Sequence, residues 1–493
     1  MDNRTKKTPS PFISLIPVVA LVALLFMTVR IFGSDTLDGA SQVVLLISTA
    51  ICAGLSMLCC HTRWKEIERA IVGNITSVAS ALLILLLIGA LSGTWMVSGI
   101  IPAFIYYGTK VISPDFYLAS TCLICIVVSV ITGSSWTTVA TIGIALSGIG
   151  LVQGFSPGWI GGAIISGAYF GDKISPLSDT TILASAVTDT PLFTHIRYLM
   201  ITTIPSMVIA MIIYVIAGLS HDASSAIDIA VFSDTLRSTF NISPWLFLVP
   251  SVMILLIVKK VAPLITLFAS CFMACVCALI FQPHLLNEIS GADTTGVNAQ
   301  VRGLLMSMYG STMIETGHEE LNTLVSTNGM AGMLNTVWLI ICAMCFGGAM
   351  TASGMLASII SVSIRYVKRT VGLVSSTVVS GLVFNICSGD QYLSIILTGD
   401  MYKDIYRERG YESRLLSRAT EDGVTVTSPL IPWNTCGMTQ ATVLGISTLT
   451  YLPYCFFNLI SPLMSILVAA TGYKIKKTFV GEKAAPAPCA RAR

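Results

Sequence analysis

The chain has 493 residues, 54% of them hydrophobic and only 11% charged, and its 28 Lys and Arg against 25 Asp and Glu leave a net charge of +3. Soluble proteins are about 25% charged, so this chain cannot cover a water-facing surface, and the same apolar excess excludes disorder. At about 20 apolar residues per crossing there is room for roughly a dozen transmembrane helices and no separate catalytic domain outside the bilayer.

The basic start, Met1 to Ser10, leads into a long apolar run from Pro11. That run is too long for the core of a cleaved signal and ends in no small-residue cleavage pattern, so it reads as a first membrane helix. Apolar spans follow at 12–32, 41–60, 75–100, 115–132, 137–153, 157–171, 197–219, 244–260, 262–282, 336–360, 370–388, 424–446 and 448–472. The longest polar connection, 284–335, is assigned to the outer face. The polar, helix-prone segment 403–423 is assigned to the cytoplasmic face. Basic residues cluster between spans: Arg63, Lys65 and Arg69; Lys259 and Lys260; Arg365, Lys368 and Arg369; then Lys403, Arg407, Arg409, Arg414 and Arg418. With Arg4, Lys6, Lys7 and the basic tail, they predict that both termini are cytoplasmic. The pairs Cys122/Cys125 and Cys342/Cys345 lie in apolar runs without a nearby His or carboxylate. They read as small buried hydrophobes rather than metal ligands.

Two stretches break the helical pattern in a related way. Thr132-Gly-Ser-Ser-Trp-Thr-Thr138 is followed about forty residues on by Gly171-Asp-Lys-Ile-Ser-Pro-Leu-Ser-Asp-Thr-Thr181. Cys387-Ser-Gly-Asp-Gln-Tyr392 is followed at a similar distance by Thr427-Ser-Pro-Leu-Ile-Pro-Trp-Asn-Thr435. Both copies place a Gly and hydroxyl break first and Ser-Pro-Leu ahead of a polar patch second. With the charge-derived topology the copies run in opposite senses. Inverted repeats with paired broken helices are the pattern of a secondary transporter with its site near the bilayer midplane. The expected fold is therefore an all-α polytopic membrane protein of about 11–14 transmembrane helices, with two inverted repeats containing broken or re-entrant helices. Residues 1–11 form a cytoplasmic N-terminus, 12–235 the first half, 236–472 the second half and 473–493 a basic cytoplasmic tail.

Carboxylates in apolar surroundings are expensive and mark function. The candidates are Asp172, Asp179, Asp390, Asp400, Glu421 and Asp422. Asp400, Glu421 and Asp422 fit a helix end in water equally well, and Asp172 fits a pair with Lys173 or a helix cap. Asp179 and Asp390 sit within oxygen-rich breaks and are the candidates for proton coupling and for Na+ binding. Unwound backbone offers free carbonyls to a hard cation, and hydroxyls add more. Ser134, Ser135, Thr137 and Thr138 supply them in one copy, with Ser175, Ser178, Thr180 and Thr181 beside Asp179. Ser388, Ser428, Asn434 and Thr435 supply them in the other. Gly133 and Gly389 let the backbone leave the helix, and Pro176, Pro429 and Pro432 free carbonyls upstream. A carboxyl shielded from water favours its protonated form, so one side chain can hold a proton or a sodium ion but not both. The same cluster could bind Na+ beside an organic anion, with Lys173 or a half-helix N-terminus facing the anion's charge.

The blocks Gly171–Thr181, continuing to Thr194-His-Ile-Arg197, and Gly389-Asp-Gln-Tyr392 with Leu416-Ser-Arg418, Glu421-Asp422 and Ser428–Gly437, resemble the signatures of the NhaC family of Na+/H+ antiporters. The resemblance runs from about residue 12 to 472. It implies a multi-pass secondary transporter of the bacterial inner membrane, not an enzyme, with no cofactor and with Na+ and H+ as substrates. It also implies a site built from Asp172, Ser175, Ser178, Asp179, Thr180, Asp390, Ser428 and Asn434. The alternative is Na+- or H+-coupled transport or exchange of an organic acid, of malate/lactate type, or of an amino acid. Membrane lipid is an expected partner, nucleic acid is not, and a homodimer is compatible with this reading. Where the family pattern suggests Asn and Ala-Pro-Ala after Asp-Thr-Thr, this chain has Ile182, Leu183, Ala184 and Ser185. Rival enzymes lack their motifs: no Asp follows Gly-x-Gly, and His318-Glu319-Glu320-Leu321-Asn322 ends without the second His of a zinc protease.

Overall fold

The computed structural model describes residues 9–32, 39–221, 229–291, 296–317, 322, 325–359 and 369–475. The basic cluster at Arg4 to Lys7, Arg365 and Lys368, the His318 to Leu321 segment, and the tail beyond residue 475 lie outside the described residues. Among the described residues nine helices are long and apolar enough to cross a bilayer, or up to 11 if each of two bent pairs is one span. Helices satisfy every backbone group internally, which is what lipid demands.

In chain order the helices are α1 (Pro11–Phe32), α2 (Ala40–Cys60), α3 (Trp64–Ser77), α4 (Ala79–Val97), α5 (Ile100–Val111), α6 (Tyr117–Thr132), α7 (Ser135–Thr138), α8 (Ile144–Val152), α9 (Pro157–Ile174), α10 (Asp179–Val187) and α11 (Leu192–Leu219). A π-helical turn, Val139–Gly143, joins α7 to α8. Then come α12 (Ile229–Thr239), α13 (Leu248–Val258), α14 (Pro263–Phe281), α15 (Pro283–Ser290), α16 (Val297–Tyr309), α17 (Leu334–Ala352), α18 (Thr370–Ser388), α19 (Gln391–Glu408), α20 (Ser413–Thr420), α21 (Thr435–Leu444), α22 (Thr448–Tyr451) and α23 (Phe456–Thr471). A second π turn, Glu421–Thr425, extends α20.

The two predicted repeats are visible as matching substructures. In the first, α6 turns at Gly133 and returns as α7 and α8, so that the Tyr117 hydroxyl at the start of α6 donates to the Leu146 carbonyl of α8 at 2.7 Å. This is a helical hairpin whose two open ends share one face. In the second, α18 turns at Gly389 and returns as α19, with Thr370 and Tyr411 hydroxyls 2.6 Å apart at the open end. Beside each hairpin lies a broken helix parallel to its first arm. Gly167 and Gly171 of α9 pack on the α6 backbone at Cys122 and Ile126, and Gly423 packs on Val378 of α18. Small residues permit this close approach of helices.

Helix α11 establishes that the repeats are inverted. Its 28 residues span about 40 Å. At its start Thr190 donates to Ser413 at 3.0 Å, beside the open end of the second hairpin. Near its end Gly218 packs on the Asp115 carbonyl, beside the open end of the first. The hairpins therefore enter from opposite faces.

Segment 284–335 contains helices: α15 and α16 pair through Gly303 against the Leu286 carbonyl, and Gly93 of α4 packs on the Ser307 carbonyl. One sequence expectation is corrected: segment 403–423 is not a surface connection. Its middle is a short turn, but Leu415 to Asp422 are buried, because α20 is the first arm of the second broken helix. The span predicted at 424–446 thus begins at Ser413. The halves also exchange helices: Leu21 and Val44 of α1 and α2 share a core with Phe346 and Phe384, whereas Val249 and Leu267 of α13 and α14 pack with the first hairpin.

Candidate functional site

Each repeat brings its two breaks together. Gly133 and Gly389 both adopt the left-handed conformation, at φ 67° and 68°, which lets α6 and α18 stop and the chain reverse within two residues. A Cβ on Gly133 would stand 2.7 Å from Leu177 in the second break of its repeat. In the other copy the Thr435 N–H donates to the Gly389 carbonyl at 2.8 Å. Four helices start at these breaks, and each is capped by a side chain. Ser134 accepts from Thr137 N–H at 3.2 Å, Ser178 from Thr181 N–H at 3.4 Å, Asp390 from Leu393 N–H at 2.8 Å and Asn434 from Cys436 N–H at 3.0 Å. Capping satisfies donors that lipid could not.

Buried carboxylates bridge the breaks in both copies, with the roles exchanged. In the first, Asp172 comes from the broken helix, and its Oδ2 accepts from the Ser135 hydroxyl at 2.7 Å and the Ser135 N–H at 3.2 Å of the hairpin tip. In the second, Asp390 comes from the hairpin tip, and its Oδ2 faces the Thr435 hydroxyl of the broken helix at 3.5 Å. Both carboxylates thus sit at helix N-termini, where the backbone dipoles favour negative charge. Tyr392, next to Gln391 at the second hairpin tip, is exposed. One contact crosses between the repeats, from Gln440 to the Tyr169 hydroxyl at 3.3 Å; within the second, the Cys436 thiol meets Gln391 at 2.7 Å.

The predicted residues divide by role. Ser134, Ser135, Thr137, Asp172, Ser178 and Thr180 gather at the first pair of breaks, with Thr137 and Thr180 hydroxyls 3.1 and 2.9 Å from those of Ser134 and Ser178. Asp390, Asn434 and Thr435 gather at the second. Ser175 and Ser428 are buried and bond to the Val130 and Thr425 carbonyls at 2.8 and 2.9 Å, so both hold the shape of the break. Asp179 is exposed. The reason is local: Ser178 already caps α10, so the carboxylate of the first helical residue turns outward. Asp400 is exposed too, whereas Glu421 and Asp422 are fully buried. Lys173 does not face an open site. Its ammonium pairs with Asp422 and bonds to Ser461 at 3.0 Å, and both charged side chains are fully buried.

Several polar residues escaped the sequence reading. Tyr392 and Gln391 stood inside a quoted block without a role. Asn385 donates to the Val424 carbonyl at 2.7 Å and to Thr427 at 3.0 Å, tying hairpin to broken helix. An amide in the middle of an apolar helix was the available signal. The five residues of the first π turn carried none.

A sequence model described as the Na+/H+ antiporter family matches residues 167–473. The chain is 34% identical over 429 residues to the Na(+)/H(+) antiporter NhaC of Bacillus subtilis, covering 87% of this chain and 90% of that one. It is 34% identical over 414 residues to the protein of the same name from Alkalihalophilus pseudofirmus, covering 84% and 87%. It is 32% identical over 457 residues to the Malate-2H(+)/Na(+)-lactate antiporter of Bacillus subtilis, covering 92% and 94%.

Proposed function

The chain belongs to the Na+/H+ antiporter family, and from that premise we propose that it is a secondary active transporter exchanging Na+ for H+ across the bacterial inner membrane. The observation that carries the site assignment is the pair of buried carboxylates, Asp172 and Asp390, each set between a hairpin tip and a broken helix. Either carboxyl can hold a proton or take part in a Na+ shell, and a bound Na+ draws its other oxygens from Ser135, Ser178, Thr180, Thr435 and the carbonyls freed at the breaks. Asp179 stands at the exposed edge and concentrates cations there. Movement of the two inverted hairpins against the remaining helices exposes the site to one face at a time.

Everted membrane vesicles with a pH-sensitive dye test this. Addition of Na+ should restore fluorescence with the wild-type protein and fail to do so with Asp172→Asn or Asp390→Asn. Full exchange in both variants would overturn the residue assignment, and no response from the wild type would overturn the function.

The organic-acid reading is supported by the 32% identity to a malate/lactate antiporter. Proteoliposomes screened with organic acids and amino acids decide: robust Na+/H+ exchange without uptake leaves only the first reading.

A further inference from the structure

The second broken helix carries a set of buried polar groups that the site above does not use. Glu421 is fully buried, and neither carboxyl oxygen has a hydrogen-bond partner among the described residues. Arg418, one turn earlier and also fully buried, has none for Nε, Nη1 or Nη2. The hydroxyls of Thr420 and Thr425 and the Nε2 of His195 are likewise unpartnered. Buried polar atoms are almost always paired, and those without protein partners mark hydrated interiors.

These groups form a column. At its outer end, near the start of α11 and the open end of the second hairpin, the His195 Nδ1 meets the Ser417 hydroxyl at 2.8 Å. Arg418 follows, with its guanidinium carbon 4.7 Å from the centre of the Tyr198 ring. Glu421 comes next, beside Asp422, whose ion-pair partner Lys173 adjoins Asp172. The column therefore runs from His195, fully buried one turn into α11, to the Lys173–Asp422 pair beside Asp172.

We propose that this column is a proton route separate from the Na+ route, with Glu421 as its relay carboxyl. The inference rests on the antiport reading. When Na+ binds, the O–H bond on Asp172 breaks and its proton passes, through water, to a Glu421 oxygen. The proton already on Glu421 leaves past Ser417 and His195. The ammonium of Lys173, paired with Asp422 next to Glu421 in the chain, keeps Na+ out.

The test uses the full-length protein in proteoliposomes and two readings. Glu421→Gln should lower Na+-driven proton flux about 100-fold, the scale on which a positioned proton-transfer group acts. It should leave 22Na+ counterflow at equal pH unchanged, since Na+/Na+ exchange moves no net proton and reports a folded Na+ site. Glu421→Asp should restore part of the proton flux. Wild-type proton flux in Glu421→Gln overturns the inference, and so does loss of counterflow in both variants. A wild type that moves Na+ without protons overturns the antiport reading and this inference with it.

Discussion

Lys173 of the first repeat and Asp422 of the second form an ion pair in which both side chains are fully buried. Thr202 of α11 donates to Asp422 at 3.0 Å, and Ser461 of α23 donates to it at 2.9 Å. The pair therefore joins four elements at the centre of the fold. Such a pair holds only when further hydrogen bonds complete both shells, because desolvating two charges is costly.

Breaking the pair should cost more than removing it. Lys173→Met leaves a buried lone carboxylate and should destabilise the protein by about 3–5 kcal/mol, while adding Asp422→Leu should recover most of that loss. Thermal unfolding of the purified protein in detergent measures both. Additive losses in the double variant would contradict the account.

The two hairpin glycines should respond unequally. An L side chain in the left-handed conformation costs about 1–2 kcal/mol at either position. At Gly133 the new methyl also meets the Leu177 backbone at 2.7 Å, whereas at Gly389 the nearest atom is the Ala343 methyl at 3.2 Å. Gly133→Ala should therefore lower Na+/H+ exchange and melting temperature further than Gly389→Ala does. The reverse order would show that the tip contact with Leu177 is not what positions the hairpin.

Ser135→Ala removes the 2.7 Å hydroxyl donor to Asp172 and keeps the backbone one. A hydrogen bond to a charged group contributes about 1.5–3 kcal/mol, so half-saturation by Na+ should rise roughly 10- to 100-fold. Thr435→Val acts on a contact of 3.5 Å, near the limit for a hydrogen bond, and should do less. Na+ titration of the dye signal compares them.

Asp179 and Asp172 should separate as well. Asp179 is exposed, and an exposed charge contributes about 0.2–1 kcal/mol. Asp179→Asn should raise half-saturation by up to about five-fold, with the effect fading at high ionic strength. Asp172→Asn should abolish exchange. Equal losses from the two would return Asp179 to the coupling role that the sequence suggested.

The opposite entry of the two hairpins is open to labelling. Ser156 and Glu408 are exposed near the open ends of the first and second hairpins. In a background with the native cysteines replaced, Ser156→Cys and Glu408→Cys should react with a membrane-impermeant maleimide from opposite sides. Labelling of both in the same vesicle orientation would refute the inverted arrangement.

Much of this fold was legible in the residues alone. Scarcity of charge indicated a membrane protein, and apolar runs of about 20 residues indicated helices rather than the short alternating strands of a barrel. The repeated glycine break and Ser-Pro-Leu exposed the two copies, because a helix can be interrupted in an apolar span only by residues that excuse the missing bonds. The same residues placed Ser135 and Ser178 in the breaks of one copy and Asp390 and Thr435 in those of the other, while Asp172 entered the site only through the family resemblance.

What remained hidden depended on direction and burial. A carboxylate reads the same in sequence whether it caps a helix, meets a lysine from the other repeat or faces water. Asp179 was drawn outward because Ser178 had taken its place at the helix start. Glu421, Asp422 and Arg418 passed for a charged surface turn because their polarity was visible and their surroundings were not. Only packing places Lys173 beside Asp422, 249 residues away, and only packing leaves Glu421 without a partner. Composition and periodicity report which groups a chain must bury, whereas the partners of those groups are chosen by helices distant in sequence.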